Sequence, residues 1–143
     1  MKRLVVSGLV AMLCATNSVA QEVRKVESRD VDSKIKLETV VSGYLADING
    51  KYKLRLTEIT FKPGGYGGEH HHVGPGIRVV TSGELTFVKP DKTTIYKAGD
   101  VYYESGDATH SAYNKGDVPV VLLNFEILPA DWKGGSGVPP KSK

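Results

Sequence analysis

Short runs of alternating apolar and polar residues, separated by turn-forming residues, fill the chain from position 35 to position 128. In the clearest run, 51–61, Tyr52, Leu54 and Leu56 alternate with three basic residues, Lys51, Lys53 and Arg55. This alternation predicts a strand that buries the side chains of Tyr52, Leu54 and Leu56. The next apolar residues, Ile59 and Phe61, fall in the opposite phase, so we expect a β-bulge near 57–58. Since no long run has a helical period, the pattern predicts an all-β sandwich or barrel.

The two ends of the chain differ from this middle part. Residues 1–20 have a basic start, an apolar centre and a small-residue end, which predicts a signal peptide cleaved after Ala20. We therefore expect a periplasmic or secreted protein without a stable membrane anchor. Residues 21–34 are charge-rich and predict a flexible N-terminal arm, while 35–130 form the barrel. Residues 131–143, rich in glycine and proline, predict a disordered C-terminal tail.

The amino-acid composition limits the kinds of partner and ligand chemistry that the chain can have. The 143 residues suit a single domain, and 19 basic against 16 acidic residues give no electrostatic footprint for nucleic acid. The single cysteine, Cys14, lies inside the predicted signal peptide. The mature chain is thus expected to work without disulfides or thiolate ligands, and its chemistry rests on histidine, carboxylates, tyrosine, arginine or backbone.

The four histidines are the strongest candidates for that chemistry. Because side chains alternate along a strand, His70 and His72 share one face while His71 points to the other. His110 begins a later strand and is the remaining candidate for a third ligand. Three imidazoles of this kind suit a divalent metal. The competing interpretation is that these histidines are surface or packed core residues.

The residues around the histidines resemble the two motifs of the cupin superfamily. The first motif reads Gly64-x5-His70-x-His72 and ends at Gly83, and the second reads Gly99-x5-Ser105-x-Asp107-x2-His110-x3-Asn114. The resemblance implies a small single-domain cupin, a jelly roll (double-stranded β-helix) that holds a metal in its mouth through His70, His72 and His110.

One departure from the family pattern changes the expected chemistry. The family's metal-binding glutamate falls on Gly76, which has no side chain. Three neutral imidazoles would leave a divalent ion its full charge, so the site should favour anionic ligands. This resembles the three-histidine cupin dioxygenases, so we expect Fe(II) first, with Zn, Mn or Ni as alternatives. A fourth ligand would be water or one of Glu69, Tyr66, Tyr102 and Tyr103.

Two further residues are candidate catalytic groups. Arg78 shares the face of Gly76 and would clamp a substrate carboxylate, or else it pairs with a surface carboxylate at the rim. Tyr66 lies in a glycine-rich segment, 64–68, that we expect to be a mobile loop. It would cover the pocket mouth, or it is an ordinary loop aromatic.

These features favour an exported, metal-binding cupin. The first hypothesis is a mononuclear non-haem Fe(II) oxygenase that acts on a small chelating acid, diketone or phenolic. The alternatives are a non-redox metal-dependent isomerase or lyase, or a hydrolase, and a non-catalytic periplasmic module that binds a small molecule. By resemblance we also expect a homodimer, paired through edge strands.

Overall fold

The computed structural model describes residues 25–140, and the predicted signal peptide lies outside them. Within this range the secondary structure is all strand, and no helix is long and apolar enough to cross a membrane. The strands, in chain order, are β1 (Ser28–Val40), β2 (Tyr52–His72), β3 (Gly76–Ser82), β4 (Glu84–Lys89), β5 (Lys92–Lys97), β6 (Val101–Glu104), β7 (His110–Tyr113), β8 (Val120–Pro129) and β9 (Gly137–Val138).

Strand β2 connects the two halves of the barrel. The hydrogen-bonded order is β5-β4-β7-β2-β8-β3-β6, and β1 and β9 pair with β2 as well. Residues 52–61 of β2 pair with β8, whereas residues 66–70 pair with β7. Because β2 is 21 residues long, it pairs with different strands along its two halves and links them into one continuous sheet. The predicted all-β jelly-roll fold is confirmed.

The inward face of β2 is the opposite of the one predicted. Lys53, Arg55 and Thr57 are buried, while Leu54 and Leu56 lie on the outer face and Tyr52 is exposed. The β2–β8 register is continuous from position 52 to position 61, so β2 itself has no bulge near 57–58. The irregularity in this region lies on β1, between Ile35 and Leu37, opposite Thr57 and Leu56. The alternation identified the strand correctly, but it assigned the wrong face because part of this barrel's interior is polar.

The apolar core fills only one part of that interior. Its buried members come from β2, β3, β4, β7 and β8, and they are Phe61, Val80, Leu85, Ala112, Val120 and Leu122. Burying these side chains supplies the main hydrophobic stabilisation of the barrel. The remaining inward positions carry histidines, carboxylates and basic groups, and this part of the interior forms the candidate site.

Neither the predicted arm nor the predicted tail is loose where the structure describes it. Residues 28–34 belong to β1, which pairs with β2 along almost its whole length. In the C-terminal segment, β9 pairs with His71 and His72 of β2. The backbone carbonyls of Trp132 and Gly134 accept hydrogen bonds from Lys53 and Arg55. Buried donors of the barrel wall therefore hold this segment in place, a tertiary effect that local composition did not reveal.

Candidate metal centre

The three predicted histidines meet at one point of the interior. His70 and His110 are register partners on β2 and β7, and His72 lies two residues further along β2 on the same face. Their ring centroids are 4.4 to 5.3 Å apart, and one nitrogen from each ring lies within 4.8 Å of the others. The sequence prediction that these three side chains come together is confirmed.

Hydrogen bonds fix the orientation of the rings. The Nδ1 of His70 donates to the Gly68 carbonyl at 2.6 Å, and the Nδ1 of His110 donates to the Ala108 carbonyl at 3.1 Å. A carbonyl oxygen can only accept, so each Nδ1 carries the proton and each Nε2 keeps its lone pair. The Nδ1 of His72 lies 3.1 Å from a carboxylate oxygen of Glu126, which gives that ring the same orientation. Partners of this kind orient imidazoles that bind metals.

Burial keeps two of these rings neutral. It lowers the pKa of His70 and of His110 to about 4, and the carbonyl hydrogen bonds to the two rings oppose the shift only in part. Near neutral pH both imidazoles are therefore unprotonated, which is the form that binds a metal ion.

Two buried carboxylates lie beside the histidines, and sequence reasoning missed both. Glu104, at the end of β6, places Oε1 at 3.0 Å from Nε2 of His110 and Oε2 at 3.5 Å from Nε2 of His72. Glu126, on β8, contacts His72 and also accepts a hydrogen bond of 2.5 Å from Ser136. Burial acts to raise the pKa of Glu126, but the His72 hydrogen bond and the charge of Arg78 outweigh it, and the pKa is lowered.

Arg78 lies between the two carboxylates. Its Nη2 is 2.6 Å from Glu104 and 3.3 Å from Glu126, and only 2% of the residue is exposed. Nη1, in turn, occupies space next to Gly76, where an added Cβ would come within 2.1 Å of it. The predicted face of Arg78 is therefore correct. Its predicted contact with a substrate stays a prediction, since the contacts that the structure gives it are these two carboxylates.

The donor set fits a divalent cation. Three Nε2 lone pairs face inward, and the buried Oε1 of Glu104 has no hydrogen-bond partner within the described part of the chain. Since His110 carries its proton on Nδ1, its Nε2 and the facing Oε1 are both acceptors. Acceptors held this close in a buried site favour a cation between them. His70, His72 and His110 are thus the residues that would hold a metal.

A cavity of about 690 Å³ opens beside the cluster. His70 and His72 line it, together with Lys53, Arg55 and Glu38 of β1. Glu38 contacts both basic groups, at 3.1 Å and 2.5 Å. The C-terminal segment, residues 132–137, lines the cavity as well. The volume is adequate for a small organic molecule.

The tyrosines do not reach the histidines. Tyr66 packs against Tyr113, with the two rings tilted and their centroids 4.9 Å apart, and it lines a different cavity. The β2–β7 register shifts between Gly67 and His70, which separates Tyr66 from the histidines. The glycine-rich segment around Tyr66 is part of β2, not a loop. A catalytic role for Tyr66 stays a prediction. Tyr102 points inward and stacks on Tyr96 at 4.0 Å, while Tyr103 points outward with 65% exposed.

Comparisons with known proteins agree with this geometry. The Cupin_2 cupin-domain family matches residues 57–126, a range that contains all three histidines and Glu104. No curated protein sequence matches the chain. A cupin domain from Bordetella pertussis Tohama I is similar in structure, with 21% identity and a TM-score of 0.53, over 71% of this chain and 96% of that one.

Two longer alignments extend the likeness. The polyketide cyclase RemF from Streptomyces resistomycificus has 17% identity and a TM-score of 0.57, over 91% of this chain and 86% of its own. A cupin 2 conserved barrel domain protein from Salinispora arenicola has 18% identity and a TM-score of 0.53, over 84% of this chain and 91% of that one. At these identities the likeness shows the fold. The family match shows that residues 57–126 of the chain form a cupin domain.

Proposed function

We propose that this cupin is an exported, mononuclear metal-dependent oxygenase that acts on a small chelating acid, diketone or phenolic. The observation that carries the proposal is the cluster of three histidines, whose ring nitrogens lie within 4.8 Å of one another beside a cavity of about 690 Å³. With a divalent ion, Fe(II) by preference, this site would supply Lewis acidity and one-electron chemistry with dioxygen. Export is proposed from the sequence of residues 1–20 alone.

The cavity wall supports an anionic substrate. Arg55 and Lys53 face the same cavity as the histidines, and the carboxylate that contacts them both is Glu38. Glu126 and Lys133 line the cavity as well, so its wall carries three cations against two carboxylates. The excess positive charge attracts an anionic group at the end of a substrate. In this proposal Arg55 takes the binding role that the sequence suggested for Arg78, while the histidine end holds the reacting group.

A second candidate function keeps the metal and changes the chemistry. The structural neighbour with the longest of the alignments described above is a polyketide cyclase. A non-redox isomerase or lyase would use the same histidines, with Zn, Mn or Ni acting as a Lewis acid. The identity of the metal separates the two candidates.

Metal analysis combined with oxygen uptake tests the proposal. Protein purified from its own compartment should contain about one iron per chain and should consume oxygen with at least one member of a panel of chelating acids, diketones and phenolics. The His110→Ala variant is the negative control, and His71→Ala is the matched variant outside the cluster. Zinc content without oxygen uptake would favour the isomerase or lyase. A metal-free protein that still binds a panel member would favour a non-catalytic binding module.

A further inference from the structure

We propose that Glu104 is a fourth metal ligand, which replaces from strand β6 the carboxylate that position 76 of β3 lacks. The inference rests on the metal site of the proposed function and on no particular reaction. It starts from the sheet register, in which Gly76 and Glu104 are direct partners on adjacent strands. Paired residues of an antiparallel sheet point to the same face, so Glu104 enters the barrel beside the place where a side chain at position 76 would enter.

The surroundings of Gly76 exclude a side chain there. A Cβ at this position would lie 2.4 Å from the Phe125 carbonyl oxygen and 2.1 Å from Nη1 of Arg78. The first of these contacts is with backbone, which cannot move aside without disturbing the β3–β8 pairing. A carboxylate for this site therefore has to come from another strand. Glu126 of β8 also pairs with position 76, but it contacts His72 at Nδ1, whereas Glu104 contacts Nε2 of both His110 and His72.

The two oxygens of Glu104 have different surroundings. Oε2 is held by Arg78 at 2.6 Å. Oε1 is buried, makes no hydrogen bond with any described residue, and lies 3.0 Å from Nε2 of His110. Arg78 thus fixes the orientation of the carboxylate and leaves one oxygen free to bind a metal. A buried anionic oxygen facing a lone pair is unfavourable unless a cation lies between them.

A carboxylate ligand changes what the centre binds. With Glu104 the ligand set carries one negative charge, so a divalent ion keeps a net charge of one instead of two. Carboxylate oxygen suits Mn²⁺, whereas imidazole alone already suits Zn²⁺. The loss of Glu104 should consequently weaken Mn²⁺ binding more than Zn²⁺ binding.

Calorimetric titration of the metal-free, full-length mature chain tests the assignment. Glu104→Gln should weaken Mn²⁺ binding by at least about tenfold and Zn²⁺ binding by clearly less. Glu104→Asp keeps a negative charge for Arg78 but is one methylene shorter. It should therefore also lose more Mn²⁺ affinity than Zn²⁺ affinity, and it provides the test if the glutamine variant folds poorly. Glu84→Gln, at an exposed ion pair with Lys97, is the matched control and should bind both metals as the wild type does.

The outcomes separate this proposal from the proposed function. Unchanged Mn²⁺ affinity in a folded Glu104 variant would overturn the ligand role while leaving the three-histidine site intact. An equal loss for both metals would reduce Glu104 to a structural partner of Arg78 and would overturn the proposal as well. Failure of the wild-type chain to bind either metal would instead remove the proposed function.

Discussion

Replacing Arg78 with methionine is the sharpest test of how the polar interior is held together. The guanidinium contacts two carboxylates whose side chains are 6% and 1% exposed, those of Glu104 and Glu126. Methionine fills similar space but leaves both carboxylates without this cation. Removing one partner from a buried ionic group costs about 3–5 kcal/mol, so we expect the metal-free variant to lose that much free energy of unfolding near neutral pH.

Urea denaturation in the presence of a chelator measures this loss. The control is Lys97→Met, whose ion pair with Glu84 spans 2.9 Å but has side chains that are 66% and 57% exposed. Water screens such a pair, so its loss should leave the free energy of unfolding almost unchanged.

The difference between the Arg78 variant and the wild type should shrink on acidification. The charge of Arg78 helps to hold the pKa of Glu126 below its usual value, so the wild type loses part of this stabilisation as the pH falls, whereas the variant has already lost it. A loss below about 1 kcal/mol near neutral pH would refute the structural role of Arg78 and return it to the substrate-binding role that the sequence suggested.

Three further predictions concern the histidines and the C-terminal segment. His110→Ala should reduce bound metal from about one ion per chain to a small fraction in elemental analysis, whereas His71→Ala should leave it unchanged. Because the pKa values of His70 and His110 are about 4 in the native state, the unfolded chain binds more protons below about pH 6.5. The metal-free protein should thus lose on the order of 2 kcal/mol per histidine by about pH 5, and a flat pH profile of urea midpoints would contradict this. Ser136→Ala removes a hydrogen bond to a buried carboxylate and should cost about 1–3 kcal/mol in the same assay; a cost near zero would show that the segment is not held through Ser136.

The polar part of the interior explains why strand prediction succeeded while face prediction failed. Alternation in 51–61 correctly identified part of β2, since a period of two is a property of extended backbone alone. Which face of the strand turns inward depends on the groups that the neighbouring segments place in the interior. Here Glu38 and the carbonyls of Trp132 and Gly134 receive Lys53 and Arg55, so the basic side chains are inside.

The position of the buried carboxylate Glu104 was also beyond what the local sequence pattern predicts. Glu104 sits one residue before the Ser105 position of the second motif, in the same phase as the inward Tyr102, and a charged residue in that phase was the available signal. Its partnership with Gly76 follows from the β3–β6 register, which links residues 28 positions apart. Long-range pairing of this kind cannot be read from local alternation.

The sequence by itself determined the strand-rich class, because local periodicity is a property of the chain. It also contained the cupin motifs, and the resemblance to that family implied that His70, His72 and His110 converge. Tertiary structure alone decided that Arg78 is enclosed by carboxylates, that Glu104 reaches the histidines and that the C-terminal segment closes one wall of the cavity. Each of these depends on which strands become neighbours and in what register. That choice is made by the packing of the whole barrel and not by any single segment.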